Sequence, residues 1–180
     1  NYNVVVGDEA GTAITTGDSN VAIGYAALQN EDGHGLNVAI GRAALNTLNA
    51  GADGYNVAVG AEAGALMTTG VQNTFIGGLA GDATDDGTNN VAVGFEALSA
   101  NCGSGNTSVG TRAGKATTAD NNTFVGNNAG TATTTGANNT ALGFSSLSAN
   151  ILGTLNTAIG RSALASDTKG NNSVAVGYNT

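Results

Sequence analysis

β-Branched and mostly small residues alternate along this chain for only three residues at a time, and the same short alternation returns about every 17 residues. It lies inside a phrase of Asn, three residues and Gly. The Gly of that phrase falls at positions 7, 24, 41, 60, 77, 94, 110, 126, 143, 160 and 177. Stacking the copies gives columns. One residue before Gly stand Val6, Ile23, Ile40, Val59, Ile76, Val93, Val109, Val125, Leu142, Ile159 and Val176. Three before Gly every residue is Val or Thr, as in Val21, Val38, Thr74 and Thr140. The column between them is small, with Ala22, Ala39, Ala58, Ala92, Ser108, Ala141, Ala158 and Ala175, broken by Val5, Phe75 and Phe124. β-Branched residues at i and i+2 around a residue of another class are a strand pattern. The spacing predicts one short strand per copy, and a fixed period over eleven copies predicts coils stacked as a parallel β-solenoid.

The remaining columns describe corners. Four before Gly stand Asn3, Asn20, Asn37, Asn56, Asn73, Asn90, Asn106, Asn122, Asn139 and Asn156, then Ser173. In stacked coils such a column predicts an amide ladder, each Asn bonding the next. The Gly column marks a corner after the strand that needs a positive φ. A second small column follows three residues later (Ala10, Ala27, Ala44 and their successors), and next to it comes a two-valued column of Gly11, Gly64, Gly81, Gly114, Gly130 or Leu28, Leu45, Leu98, Leu147, Leu164. Two coil subtypes are expected from it. Length variation and the Asp-Gly pairs (32–33, 53–54, 86–87) fall between this column and the next Asn, which reads as a surface loop.

The 180 residues contain 29 Gly, no Pro, no Trp and 10% charged residues, with a net charge of −8. An apolar fraction of 41% does not fit intrinsic disorder. Five Lys and Arg together make no phosphate-binding stripe, so nucleic acid is not expected as a partner. No apolar run is long enough to insert in a membrane. Residues 1–180 read as a single repeat array that begins and ends in repeat phase, and therefore as a segment of a longer protein. Each coil offers few side chains for burial, and both strand faces are non-polar, so association of copies about the rod axis is expected. In this reading the Ala column through Ala92 lines the seam between chains, and Ala26 belongs to an outward stripe. An 18-residue hexapeptide helix is the competing geometry, but its aliphatic anchor every six residues is missing.

Asn-Val-Ala-Ile-Gly (20–24 and 37–41), Asn-Thr-Ala-Ile-Gly (156–160) and Ser-Val-Ala-Val-Gly (173–177) resemble the head repeats of YadA-type trimeric autotransporter adhesins. The longer phrase Asn-Thr-Ala-Ile-Gly-Arg-Ser-Ala-Leu (156–164) equally resembles repeat regions of phage tail-fibre-like proteins. The resemblance covers the whole chain. It implies an all-β, left-handed parallel β-roll of about eleven coils, three chains around one axis, and a location outside the cell, on a bacterial surface or a virion tail fibre. It also implies attachment to cells, host matrix protein or surface glycan.

Candidate chemistry is sparse. One His (His34) and one Cys (Cys102) make no triad or metal site, and no enzymatic activity, metal or cofactor is expected. His34 reads as a solvated loop residue, and Cys102 as an inert thiol or a cross-link between chains. The acidic run Asp82–Gly87 reads as a solvated turn rather than a calcium site, and the sequons at Asn106, Asn121, Asn138 and Asn171 follow from the repeat phrase. The variable positions just after the corner Gly hold the candidate interaction residues Tyr25, Arg42, Phe95, Arg112, Phe144 and Arg161, types that interfaces favour. The function expected is a structural or adhesive fibre segment. Alternatives are a tail-fibre shaft, an end-to-end filament subunit and an ice-binding solenoid. The last is suggested by Thr131–Thr135 and the Thr column at 74, 107, 123, 140 and 157, although Thr that shares a column with Val is expected to face inward.

Overall fold

The computed structural model describes residues 2–180. Its strands are β1 (Val4–Val6), β2 (Val21–Ile23), β3 (Val38–Ile40), β4 (Val57–Val59), β5 (Thr74–Ile76), β6 (Val91–Val93), β7 (Thr107–Val109), β8 (Thr123–Val125), β9 (Thr140–Leu142), β10 (Thr157–Ile159) and β11 (Val174–Val176). They form one parallel sheet in sequence order. Register is kept residue for residue: Ala22 pairs with Ala39, Ala39 with Ala58, Ala58 with Phe75. Every sequence column is therefore a physical column, and the chain is an all-β parallel β-solenoid.

Each strand stops after three residues because of the Gly that follows. Gly24 has a φ of 129°, and a Cβ there would lie 2.6 Å from the carbonyl oxygen of Gly41 in the next coil. Only Gly fits so close to a stacked backbone. The chain then turns: Ala27 N–H donates to Gly24 O at 3.3 Å, and Ala26 and Leu28 take left-handed backbone angles. Coils are tied in both directions. Val21 N–H donates forward to Asn37 O at 2.8 Å, while Gly24 N–H donates back to Val6 O at 2.8 Å.

The Asn column is a mixed ladder. The side-chain oxygen accepts the backbone N–H of the next Asn, as from Asn37 to Asn20 (3.0 Å), Asn90 to Asn73 (2.9 Å) and Asn156 to Asn139 (3.0 Å). The amide nitrogen usually donates to a loop carbonyl one coil on, as from Asn73 to Gly87 (2.9 Å). Direct amide-to-amide bonds join only some steps, such as Asn56 to Asn37 (3.1 Å) and Asn139 to Asn122 (3.2 Å). Asn20, Asn37, Asn56, Asn73, Asn90, Asn106, Asn122, Asn139 and Asn156 are all buried.

The two strand faces are the reverse of the expected assignment. Ala22, Ala39, Ala58, Ala92, Ala141 and Ala158 are fully enclosed by their own chain, so they line the coil interior and not a seam between chains. The β-branched columns point outward and are partly or largely exposed. The physical reason is width: a 17-residue coil leaves an interior too narrow for two β-branched side chains per strand. Ala26, expected outside, is 4% exposed and buried at the corner.

The two-valued Gly/Leu column is explained by the strand centre. Phe75 and Phe124 are fully buried, and both point into the coil. A Cβ on Gly81 would lie 2.6 Å from the Phe75 ring, and one on Gly64 3.1 Å from it. A Cβ on Gly114 would meet Phe124 at 2.8 Å. Where the centre is Ala and the next coil's centre is not Phe, as at Ala22, Ala39, Ala92 and Ala141, the column holds buried Leu28, Leu45, Leu98 and Leu147, whereas the Ala58 coil, below Phe75, holds Gly64. A large residue at one position is thus matched by Gly at the other, which conserves interior volume. A further interior column lies seven residues after the corner Gly. It contains Ile14, Glu31, Leu48, Met67, Thr84, Thr117, Thr133 and Asn150, with Cys102 one residue later in its own coil.

Two stability outcomes follow. Phe75→Ala should cost about 3–5 kcal/mol by opening a cavity, and Gly81→Leu about 1–3 kcal/mol by overpacking. The double substitution should recover most of the loss, because it recreates the Ala/Leu pairing, and Leu28, Leu45 and Leu98 already hold the left-handed angles of that position. Denaturant unfolding of the wild type and the three variants measures the coupling, and additive losses would refute volume matching. Asn73→Ala removes partners from buried Asn90 N–H and Gly87 O and should cost about 2–5 kcal/mol, since each orphaned group costs about 1–3 kcal/mol; the same unfolding assay reads it.

Candidate interaction surface

The outward strand columns form one flat face along the whole rod. They hold only Val, Ile, Leu and Thr, with no charged residue from β1 to β11. Neighbours above and below shield each side chain, yet Ile76 is 40% and Leu142 47% exposed. Eleven strands at ~4.8 Å spacing and three residues at ~3.3 Å give a strip roughly 50 Å by 10 Å, about 500 Å². Apolar patches of that size are at the upper end of what monomers expose and are often functional. Exposed Tyr55 and Leu155 stand on one flank, and Tyr25, Phe95 and Phe144 on the other.

The second flank carries the six candidate residues, all exposed. They do not converge on one pocket; the stacking sorts them into local groups. Arg42 pairs with Glu62 in the next coil. Arg112 pairs with Glu96 at 2.8 Å, and Lys115 reaches the same carboxylate at 2.7 Å. The Lys115 hydrogen bond and then that of Arg112 hold the Glu96 carboxyl below its ordinary range. Asp82, between Glu62 and Glu96, is pushed up, by burial first and then by those two charges. Arg161 lies between two rings, 5.6 Å from the centre of Phe144 and 5.4 Å from that of Tyr178, and donates to the Tyr178 hydroxyl at 3.2 Å. Tyr25 stands beside Glu9, whose carboxylate raises the phenol. Phe95 has no charged partner in this set.

Thr74, Thr107, Thr123, Thr140 and Thr157 face outward with the Val residues of their column, contrary to the inward placement expected. Thr131–Thr135 is not an outward array: Thr133 is buried, and Thr134 donates to Ile151 O at 3.0 Å. Cys102 is buried inside the coil against Thr84 Oγ1 at 3.2 Å, where burial raises its thiol pKa; a thiol in that place cannot reach another chain without local opening. The carboxylates of Asp82, Asp85 and Asp86 do not converge among the described residues. Asn106 is buried in the ladder, while Asn121, Asn138 and Asn171 are exposed.

His34 differs from its expected place in open solvent. Its side chain is 35% exposed, and it leans on the fully buried carboxylate of Glu31. The signal for this was the spacing Glu-Asp-x-His at 31–34, with Glu at the position of an interior column. No known protein family matches this chain, and no curated protein or solved structure matches it.

Proposed function

We propose that this chain is a structural and adhesive fibre segment outside the cell, in which three copies pack about a common axis through their strand faces. The observation that carries the reading is the charge-free apolar strip along the full rod. Interfaces are depleted of charge at their core. A charge-free strip with one row about every 4.8 Å can meet an identical strip level by level. The resemblance of the repeat phrases to adhesin heads and tail fibres supports the same assembly. The seam is formed by the Val, Ile and Thr columns, and the Ala columns make each coil thin. The stripe from Tyr25 to Arg161 then flanks the seam, where it is available for a protein or glycan partner.

Light scattering of the isolated chain should give three times 17.4 kDa. Val59→Lys and Val93→Lys place like charges around the axis and should convert the assembly to folded monomers with unchanged β signal. A wild-type mass of one chain would end this reading. Ala92→Leu should lower the melting temperature through overpacking its own coil, about 1–3 kcal/mol.

One observation favours a second reading. In β7 to β10 the outward positions are Thr-Val, Thr-Val, Thr-Leu and Thr-Ile, four consecutive rows of hydroxyl and aliphatic groups on one flat face. Such a lattice can hold ordered water, and therefore ice. If the seam forms, this face is covered and millimolar protein should show no thermal hysteresis. A monomeric chain with hysteresis that Thr123→Lys abolishes would replace the fibre reading.

A further inference from the structure

We propose that the loop Glu31–His34 is a binding site for a borderline divalent transition metal, of which Zn²⁺ is the representative. Donor atoms of Glu31, Asp32 and His34 lie within 4.8 Å of one another. They combine two carboxylates and an imidazole, a donor set that suits Zn²⁺ and its neighbours better than Ca²⁺. The three donors come from one short stretch with Gly33 in its middle, so they can close on an ion with little change elsewhere. Ligands of a tetrahedral zinc at ~2.0–2.2 Å lie roughly 3.5 Å apart. The donors need to draw in by about an ångström, and exposed Asp32 has the freedom to do so.

Two further observations separate this loop from an ordinary acidic turn. First, His34 Nδ1 is shielded from solvent, has no hydrogen-bond partner, and lies 3.5 Å from Glu31 Oε1. A shielded ring nitrogen without a partner is unfavourable, and a metal bond satisfies it. Secondly, the loop is already held in position. Glu31 Oε1 accepts the His34 N–H at 3.1 Å, and its Oε2 accepts the Ala50 N–H at 3.0 Å. Each oxygen keeps a second lone pair for an ion. The Asp32 carbonyl is anchored by Thr15 N–H at 2.8 Å and Thr15 Oγ1 at 3.0 Å, and Gly35 N–H donates to Asp53 Oδ1 at 3.2 Å. These bonds orient the ligands in the way outer partners do at metal centres. Three protein donors leave a fourth position for water or for a donor from a partner molecule. None of these residues belongs to the strand face, so the site does not depend on how copies assemble.

His34 is the only imidazole in the sequence, which makes the test specific. Untagged chain is titrated with Zn²⁺ while the imidazole proton signals are followed by NMR and the stoichiometry by calorimetry. One Zn²⁺ per chain, with saturable movement of the single imidazole set and a raised melting temperature, is the expected result. His34→Ala and Asp32→Asn, at a half-buried and an exposed position, should keep the metal-free melting curve and weaken binding at least tenfold. Ca²⁺ at the same concentration should not displace Zn²⁺. Unmoved imidazole signals at millimolar Zn²⁺, undiminished binding in His34→Ala, or equal competition by Ca²⁺ would overturn the proposal.

Discussion

Hydrogen bonding between successive coils is the constraint from which the rest of this structure follows. Apart from corner groups such as Ala27 N–H, which bond within their own turn, the backbone N–H groups find their acceptors one coil away, about 4.8 Å up or down the rod. The ties of Val21, Gly24 and Leu28 to the coils on either side are repeated at every level. Such a stack tolerates no residue that pushes two levels apart. Gly at the corner, whose missing Cβ would otherwise strike the next coil's carbonyl, is one consequence. The Asn column is another. At the corner before each strand the backbone turns away from its neighbour, and an amide side chain carries the hydrogen bond across the gap.

The same constraint makes the interior narrow, and a narrow interior inverts the usual hydrophobic logic. Ala, Asn, an occasional Thr and the Leu of the two-valued column fill the inside, while the β-branched residues of the strands stand outside. Burial of Ala contributes little, so single coils gain stability chiefly from satisfied backbone groups and from contact with the levels above and below. Phe75 and Phe124 are the bulkiest interior side chains, and each is accommodated by glycines on the facing turn. An apolar exterior of this kind is a liability in an isolated rod, because flat apolar sheet faces associate. Association of identical strips turns that liability into the assembly proposed for this chain.

Much of the architecture was legible because a solenoid writes its register into the sequence. The period, the eleven strands, the parallel order and the position of insertions could be read from Gly7 to Gly177 without any geometry. The direction of the faces could not. Alternation of Val-Ala-Ile reveals that two faces differ, but which one is inside depends on coil width, and width is set by turns such as Ala26–Leu28 whose left-handed angles leave no mark on residue type. Ala, Leu, Glu, Arg and Ser all hold such angles here. The pairing of Phe with Gly was visible as two separate irregularities, a two-valued column and two odd aromatics. Only their contact across the turn joins them into one rule.

The interior column seven residues after the corner Gly escaped notice for a related reason. Its members share a location and no chemistry: Leu48, Met67, Thr84, Thr117 and Asn150 stand at equivalent places. A position under weak chemical restriction in a strongly restricted repeat is where a new property can enter without disturbing the stack. Glu31 shows how this happens. Its side chain occupies the slot that Leu48 fills one coil later, yet its carboxylate takes N–H donors from His34 and Ala50 and so suffers no loss of hydrogen bonding. The loop that follows is free to vary, because its backbone is fixed from the coil before it. A tolerant interior slot beside a tolerant loop brings Glu31, Asp32 and His34 together, although the repeat gives none of them a column of its own.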